Sequence, residues 1–445
     1  MRKYLGIFTV AGAALLFMSG CTVHPPGEQA ERNAAIAAGR PFATPASQRN
    51  TPPLPDHPSA DDLVRYALLT NAELEQRYWE WRAAIEQIPQ DGTQPTNFAL
   101  SAGTTISKGD ISREGTTLTA LNDPMADIVW PEKLSVAARR ALQNAHAAGL
   151  RFQKAKFDLR SNVLDACYDY ALADELIQLE QANSQLLETT VTVADARNRA
   201  GAAGQQDLLK AQNELDLSRN VAAKLQSQLP ALRAALNALL NRDVRAPLPL
   251  PDPLPPLKPI RYSDDRLLAL AADNNPELSA LASELRGRAD GIQLARLQYL
   301  PDFSLTGGTD LAGLAQTLTG MVTVPVFRYE AINAAIAQAE ANLRSTEAMR
   351  RQTQNDLSAQ IVLDLSTFRD ADRQLVLFEQ SILPRARQAV GLTRSSYEAG
   401  RSTLLDLLDS QRSLIALQRL IVNLRIMRAK RVADLEAIIG RSITG

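Results

Sequence analysis

The sequence AGAAGQQDLLKAQ at residues 200–212 recurs as AGRSTLLDLLDSQ at residues 399–411. The same shift, applied without a gap, aligns identical residues over a much longer stretch: Val163 with Val362, Gly201 with Gly400, Asp207 with Asp406, and Arg242 with Arg441. An internal period that holds over this length indicates a duplicated structural unit.

Each copy has a helical pattern before its glycine and a second helical pattern after it. Gly201 and Gly400 can adopt the left-handed backbone conformation that ends a helix. Asp207 and Asp406 lie in the first turn of the following helix, where the helix dipole favours negative charge. The repeated stretch therefore predicts a helix–turn–helix hairpin that is built twice.

The N-terminus predicts a bacterial lipoprotein signal peptide at residues 1–20. A basic start is followed by a short apolar run at 4–18 and by two small residues before Cys21. In lipoproteins of this pattern Cys21 becomes the lipid-modified first residue, and Thr22 resembles the pattern that sorts lipoproteins to the outer membrane. The alternative is an ordinary signal peptide with an incidental cysteine. A lipidated Cys21 leaves Cys167 without a disulfide partner.

Composition narrows the function classes. The chain has 445 residues, a formal net charge of −1 and 5% aromatic residues. Near-neutral charge without a basic cluster argues against nucleic acid as a partner. After the signal peptide no apolar run approaches the length of a spanning helix, so a membrane crossing would have to use strands.

The periodicity divides the mature chain into four parts. Residues 21–59, rich in Pro, Ala, Gln and Asn, are predicted to form a lipid-anchored flexible tether. Residues 60–245 and 261–441 are predicted as two structural repeats, separated by a Pro-rich connector at 246–260. The predicted elements of the first repeat are a helix (60–87), a β-hairpin (95–130), a long helix (132–199), the tip turn and a helix (205–242). Those of the second are a helix (267–298), a β-hairpin (301–327), a long helix (329–398), the tip turn and a helix (403–439).

Prolines modify this plan at three positions. Pro276 is expected to open the second of two helical pieces, because proline is favoured in the first turn of a helix. Pro230 and Pro384 lie inside predicted helices and are expected to break or kink them.

The fold class predicted is mainly α with a small transmembrane β part. Four strands of about ten residues match the length of tilted membrane-spanning strands. Four strands cannot close a barrel, and lipid does not tolerate open sheet edges. Several copies must therefore share one barrel. Three copies would supply twelve strands, and their helical hairpins would continue the barrel as an α-helical tunnel.

These features resemble the TolC-type outer membrane efflux factors over nearly the whole mature chain. The resemblance is carried by VPVF at residues 324–327, before the helical segment at 331–340, and by YEAGRSTLLDLLD at residues 397–409. It implies a homotrimer in the outer membrane, with a twelve-stranded barrel and a tunnel that reaches into the periplasm. It also implies a periplasmic membrane-fusion adaptor and an inner-membrane pump as partners.

The resemblance also implies roles for residues at the tip. Asp406 and Asp409, three residues apart on one helix, match the acidic constriction at the closed periplasmic end of the tunnel. From the residues alone, both could instead serve the helix N-terminus. Gly201 and Gly400 are turn formers, and the resemblance adds that their turns dock the adaptor.

A latch that keeps the tunnel shut is implied by four further positions. Tyr397 and Asp207 match residues that bond across neighbouring helix pairs, and a phenol–carboxylate bond contributes about 1.5–3 kcal/mol. Packing between helices is the alternative role for Tyr397. Gln206 and Ser402 match neighbouring latch positions, where Ser402 departs from the arginine found in some members of the family.

The function predicted is a passive export duct for an efflux system. An outer duct of a type I protein-secretion system is the alternative within the family, and a lipid-anchored helical scaffold without a pore is the alternative from another class. The sequence predicts no enzyme, no metal and no cofactor beyond the lipid on Cys21. His24 and His57 lie in the predicted tether, His146 is alone on a helix, and no phosphate-binding loop follows a strand.

Overall fold

The computed structural model describes residues 22–45, 48–49, 51, 53–94, 98–101, 105–107, 110–112, 117–120, 129–249, 259–260, 262–310 and 316–443. The predicted signal peptide, Cys21 and most of the Pro-rich connector lie outside the described residues. The helices are α1 (Glu28–Ala38), α2 (Ala60–Thr70), α3 (Ala72–Gly92), α4 (Pro131–Arg199), α5 (Gln205–Leu239), α6 (Asp264–Asn274), α7 (Pro276–Arg296), α8 (Tyr329–Leu377), α9 (Leu383–Glu398) and α10 (Leu404–Ile439). The strands are β1 (Phe98–Ser101), β2 (Thr105–Ser107), β3 (Asp110–Ser112), β4 (Thr117–Ala120), β5 (Asp302–Asp310) and β6 (Gln316–Thr323).

The chain divides into two compact units. The first contains the described parts of residues 1–40, 77–152 and 277–353, and it holds all of these strands. The second contains the described parts of residues 41–76, 153–276 and 354–445, and it holds both glycine turns. No helix in the described part of the chain is both long enough and apolar enough to span a membrane.

The first unit contains an antiparallel sheet with the strand order β1-β4-β5-β6. Strands β4 and β5 pair with Thr117 opposite Asp310, so segments of the two predicted hairpins share one sheet. Strands β2 and β3 form a separate antiparallel pair. Trp130, at the end of the first hairpin segment, donates a hydrogen bond from Nε1 to the carbonyl oxygen of Pro301 at 2.5 Å. This bond ties together the ends of the two hairpin segments.

The start of the mature chain is ordered, and the prediction of a flexible tether at 21–59 is wrong for much of that range. Residues 22–38, which we call the N-terminal strap, contain α1 and pack within the first unit. The buried residues of α1 are Glu28, Glu31 and Ala35, which share one helix face. The strap begins with a backbone hydrogen bond of 2.9 Å from Val23 to Gly92. The composition suggested disorder, but the free energy gained by burying these residues offsets the conformational entropy lost when the segment is ordered.

A buried carboxylate holds the strap in place. Glu31 accepts a hydrogen bond of 2.7 Å from Trp81 Nε1 and lies 2.6 Å from His146 Nδ1. Gly39, just after α1, lets the backbone lie close to the Tyr78 side chain. A Cβ at this position would lie 2.0 Å from the Tyr78 hydroxyl oxygen.

In the second unit, an asparagine near the start of each repeat bonds the backbone near the end of the same repeat. Asn71 donates from Nδ2 to the carbonyl oxygen of Leu239 at 2.9 Å, and Asn275 donates to that of Ile438 at 2.7 Å. Each asparagine has an extended backbone and separates two helices, α2 from α3 and α6 from α7. The predicted single helix at 60–87 is therefore wrong. The Asn71 side chain accepts from the Leu74 amide at 2.9 Å, and this local bond competes with helix continuation.

The helical prolines have three different outcomes. Pro276 opens α7, as predicted. Helix α5 continues through Pro230, so a break there is wrong, whereas a kink stays a prediction. The remaining hydrogen bonds and packing of the 35-residue helix hold it together. Before Pro384 the chain forms a π-helical turn at Phe378–Ile382 between α8 and α9. A wider turn accommodates the missing N–H and the bulk of the proline ring.

Candidate functional site at the helix tips

The two glycine turns have the same geometry. Gly201 and Gly400 have φ values of 69° and 72°, in the left-handed region. In the first turn the amides of Gly201 and Ala202 donate to the carbonyls of Asn198 and Arg197 at 3.0 and 2.8 Å. In the second, the amides of Gly400 and Arg401 donate to the carbonyls of Tyr397 and Ser396 at 3.0 and 2.7 Å. Both are Schellman turns, in which any residue with a Cβ would be strained.

The helices that follow the two turns begin differently. Thr403 caps α10: its hydroxyl accepts from the Asp406 amide at 3.2 Å, and its own amide donates to Asp406 Oδ2 at 3.0 Å. This capping box holds the pKa of Asp406 below its usual value, through hydrogen bonds from the side chain and backbone of Thr403. Gly204 takes the corresponding place before α5 and supplies no side chain. Asp207 therefore lacks the capping partner that Asp406 has.

Asp406 and Asp409 are both exposed at the start of α10. Asp409 contributes to raising the pKa of Arg412, whose main partner is Glu214 on α5. Arg412 Nε lies 3.1 Å from Glu214 Oε2. The two carboxylates predicted for the aperture thus differ: Asp406 is engaged in capping its own helix, and Asp409 lies near the Arg412–Glu214 pair.

Tyr397 is buried where the two hairpins meet. Its side chain is 2% exposed, and its hydroxyl is a buried group without a hydrogen-bond partner among the described residues. Burial raises the pKa of this hydroxyl; the charge of Arg197 opposes the rise and that of Asp207 adds to it. Asp207 therefore acts on Tyr397 electrostatically within one chain, without a hydrogen bond between them.

The remaining predicted tip residues have simpler surroundings. Gln206 is exposed. Ser402 is half-buried and donates from Oγ to the carbonyl oxygen of Thr393 at 3.2 Å, within its own hairpin. The structure thus brings Tyr397 near Asp207, and it places Ser402 where it bonds the helix that precedes its own turn.

An apolar cluster beneath the turns joins the two hairpins. Its buried members are Leu187, Ala194, Ala211, Leu215, Tyr397, Leu404, Leu407 and Leu408. Farther from the turns, polar contacts also join the two hairpins. Gln411 Nε2 donates to Thr190 Oγ1 at 3.1 Å, and Arg419 lies 2.5 Å from the fully buried Glu180.

Arg197 is the tip residue that sequence reasoning missed. Its guanidinium carbon lies 4.4 Å from the centroid of the Tyr397 ring. It donates to the carbonyl oxygen of Tyr397 and, at 3.3 Å, to that of Ala202. Ser396 occupies the corresponding position in the second copy, so alignment of the two copies does not single out Arg197. Its place in the last turn of α4 was the available signal, since basic residues favour helix C-termini.

Metal binding has no support in the described part of the chain, where no group of three or more His, Cys, Asp or Glu residues could hold an ion.

Comparison with known proteins agrees with this architecture. Residues 267–441 match a family model described as outer membrane efflux protein. The chain is 24% identical over 390 residues to the pyoverdine export outer membrane protein OpmQ of Pseudomonas putida, a match that covers 81% of each chain. It is 23% identical over 294 residues to the probable outer membrane lipoprotein SilC of Salmonella typhimurium, which covers 63% of each. Among solved structures, CusC aligns with a TM-score of 0.76 at 19% identity, covering 90% of this chain and 97% of CusC.

Proposed function

We propose that this chain, whose residues 267–441 match the outer membrane efflux protein family, forms the passive outer-membrane duct of a tripartite system that exports small molecules. In this role it is a conduit and not an enzyme. An inner-membrane pump supplies the energy, and a periplasmic adaptor connects the pump to the duct.

The sheet is the observation that carries the proposal. Within the described residues, β1 and β6 are the outer strands of the order β1-β4-β5-β6, and each has one neighbour. An open edge is not tolerated in lipid, so each edge requires a strand from another copy. A homotrimer would join three such sheets into one barrel of twelve strands, continued by the helical hairpins as a tunnel.

The N-terminus supports a lipid anchor on Cys21. Thr22, the next residue, forms a bridge with Thr93 and a hydroxyl–hydroxyl hydrogen bond of 3.1 Å. Thr93 follows α3 and precedes β1 by a few residues. A lipid on Cys21 would therefore be attached close to the start of the strands, which is where an anchor in the same membrane belongs. The relative SilC is described as a lipoprotein.

The helix tips are proposed as the closed periplasmic end. Three copies of Asp406 and Asp409 would place six carboxylates around the opening, which would attract cations and disfavour anions. Tyr397 and Asp207, with Gln206 and Ser402 beside them, would form the latch between helix pairs. The Tyr397 hydroxyl is buried and has no hydrogen-bond partner among the described residues, which supports a bond completed by a neighbouring copy.

The turns at Gly201 and Gly400 are proposed as the docking points of the adaptor. They project no side chain of their own, and a Cβ at Gly201 would meet nothing within 4 Å. The left-handed backbone, rather than a side-chain contact, is what these positions require.

Two measurements on purified protein test the proposal. We expect the native mass in mild detergent to correspond to three lipidated chains, and we expect the same sample to form ion-conducting channels in planar bilayers. A monomer that forms no channel would contradict the duct and favour a lipid-anchored scaffold. Replacing Cys21 by Ser tests the anchor separately, because this variant should lack the lipid mass.

A further inference from the structure

We infer that Arg197 is the cation that holds the tip of the duct shut, by clamping the second hairpin of each chain against the first. The inference rests on the proposed function and deepens it. The predicted latch positions include Ser402, a neutral residue, and the structure indicates a positive charge at a different position of the same tip.

The guanidinium of Arg197 contacts both glycine turns. It donates to the carbonyl oxygen of Ala202 in its own turn and to the carbonyl oxygen of Tyr397, three residues before Gly400. It also stacks over the Tyr397 ring, with its carbon 4.4 Å from the ring centroid. One side chain thus holds the backbone of both tips and covers the aromatic ring between them.

Helix electrostatics favour a cation at this point. Helices α4 and α9 both end at the tip, and the last carbonyls of each carry the negative end of the helix dipole. A planar guanidinium can donate to several carbonyls at once and stack on an aromatic face. The Tyr397 side chain is almost fully buried, so solvent screens its contact with Arg197 less than it screens an exposed pair.

Three neighbouring polar residues bond within their own hairpins. Arg199 pairs with Asp195 at 2.7 Å, and Arg394 pairs with Glu398 at 3.0 Å, each within its own helix. Ser402 bonds Thr393 within the second hairpin. The contact of Arg197 with Tyr397 therefore joins the hairpins at the level of the turns, and separating the tips requires breaking it.

Arginine variants with a matched control test this role. Arg197→Ala removes the clamp, and Arg197→Lys keeps the charge but loses the planar stacking. Arg199→Ala is the control. Arg199 carries the same charge two residues away, but its side chain is exposed and pairs within its own helix. Each variant would be measured for single-channel conductance and for the fraction of time spent open in planar bilayers.

We expect the open fraction to rise by about tenfold in Arg197→Ala, the order of effect for losing one charge-assisted hydrogen bond. Arg197→Lys should lie between this variant and the wild type, and Arg199→Ala should match the wild type. Equal open fractions for Arg197→Ala and Arg199→Ala would overturn the inference. Should Arg197→Ala fail to assemble, the same comparison between Arg197→Lys and Arg199→Lys decides the question.

The wild-type measurement separates the two proposals. A wild type that conducts, with Arg197 variants that gate like the control, would overturn only the clamp. A wild type that forms no channel would overturn the proposed duct, and the clamp with it.

Discussion

Removing the carboxylate of Glu31 should release the N-terminal strap from the body of the protein. Glu31 is 9% exposed and is the common acceptor for Trp81 Nε1 and His146 Nδ1, at 2.7 and 2.6 Å. The substitution Glu31→Ala would leave the indole N–H of Trp81, a residue only 3% exposed, without this acceptor. The strap directly follows Cys21, the proposed lipid-bearing residue, and its release would separate Thr22 from Thr93.

The expected magnitude follows from these two contacts. A buried donor without its acceptor costs about 1–3 kcal/mol, and a hydrogen bond to a charged group contributes about 1.5–3 kcal/mol. Because the two losses are not additive, we expect Glu31→Ala to destabilise the strap by about 3 kcal/mol. Glu31→Gln keeps an acceptor for Trp81 and loses only the charge opposite His146, so we expect about 1.5 kcal/mol.

Hydrogen–deuterium exchange of α1 measures this opening directly. A change of 1.4 kcal/mol corresponds to a tenfold change in the open population, so exchange should accelerate by about a hundredfold in Glu31→Ala and about tenfold in Glu31→Gln. Gln29→Ala is the control on the same helix, because Gln29 is exposed and its side chain bonds Asn33 at 3.0 Å within α1. Equal exchange rates for Glu31→Ala and Gln29→Ala would refute the reasoning that a buried carboxylate holds the strap.

Three further outcomes are expected. Burial would raise the pKa of Glu31, but the hydrogen bond and charge of His146 leave this pKa below the ordinary value of 4.5. Protection of the strap from hydrogen exchange should therefore be present above the ordinary pKa and be lost as the pH falls through the lower folded pKa. Loss of protection that begins near neutral pH would contradict this. Asn275→Ala should cost about 1–3 kcal/mol in unfolding free energy and lower the thermal midpoint, because the carbonyl of Ile438 loses its donor; an unchanged midpoint would argue against the contact. Replacing Asp406 and Asp409 together by Ala should raise conductance and weaken block by divalent cations, whereas Thr403→Ala breaks the capping box without removing a charge and should leave the block intact.

Helices with a clear period could be predicted from the sequence. The long helix predicted at 132–199 corresponds to α4 at Pro131–Arg199, and the two glycine turns lie where the repeated motif placed them. These features depend on local information: apolar spacing, helix-ending glycines and first-turn carboxylates. The break at Asn71 was missed because the apolar spacing runs through it. At the break, the Asn71 side chain accepts from the nearby Leu74 amide and donates to the carbonyl of Leu239, which is distant in sequence.

The strap and Arg197 could not be predicted for a related reason. The composition of residues 22–59 is typical of a disordered segment, and only contacts with α3 and α4 give α1 a surface to pack against. Arg197 meets Tyr397 across 200 positions of sequence, and its partner atom is a backbone carbonyl, which every residue has. Periodicity and motif spacing carry no signal for a side chain that bonds a distant backbone atom.

The two copies of the tip motif share a backbone but differ in chemistry. Both have a left-handed glycine at the turn and an aspartate at the third position of the next helix. In the second copy Thr403 engages Asp406, whereas Gly204 in the first copy leaves Asp207 without that partner and near enough to Tyr397 to raise its pKa. Arg197 exists only in the first copy and Tyr397 only in the second, so the clamp requires one residue from each. The repeat gives two hairpins with the same backbone, and differences at a few positions make the pair asymmetric. This asymmetry is required if one hairpin is to be released from the other.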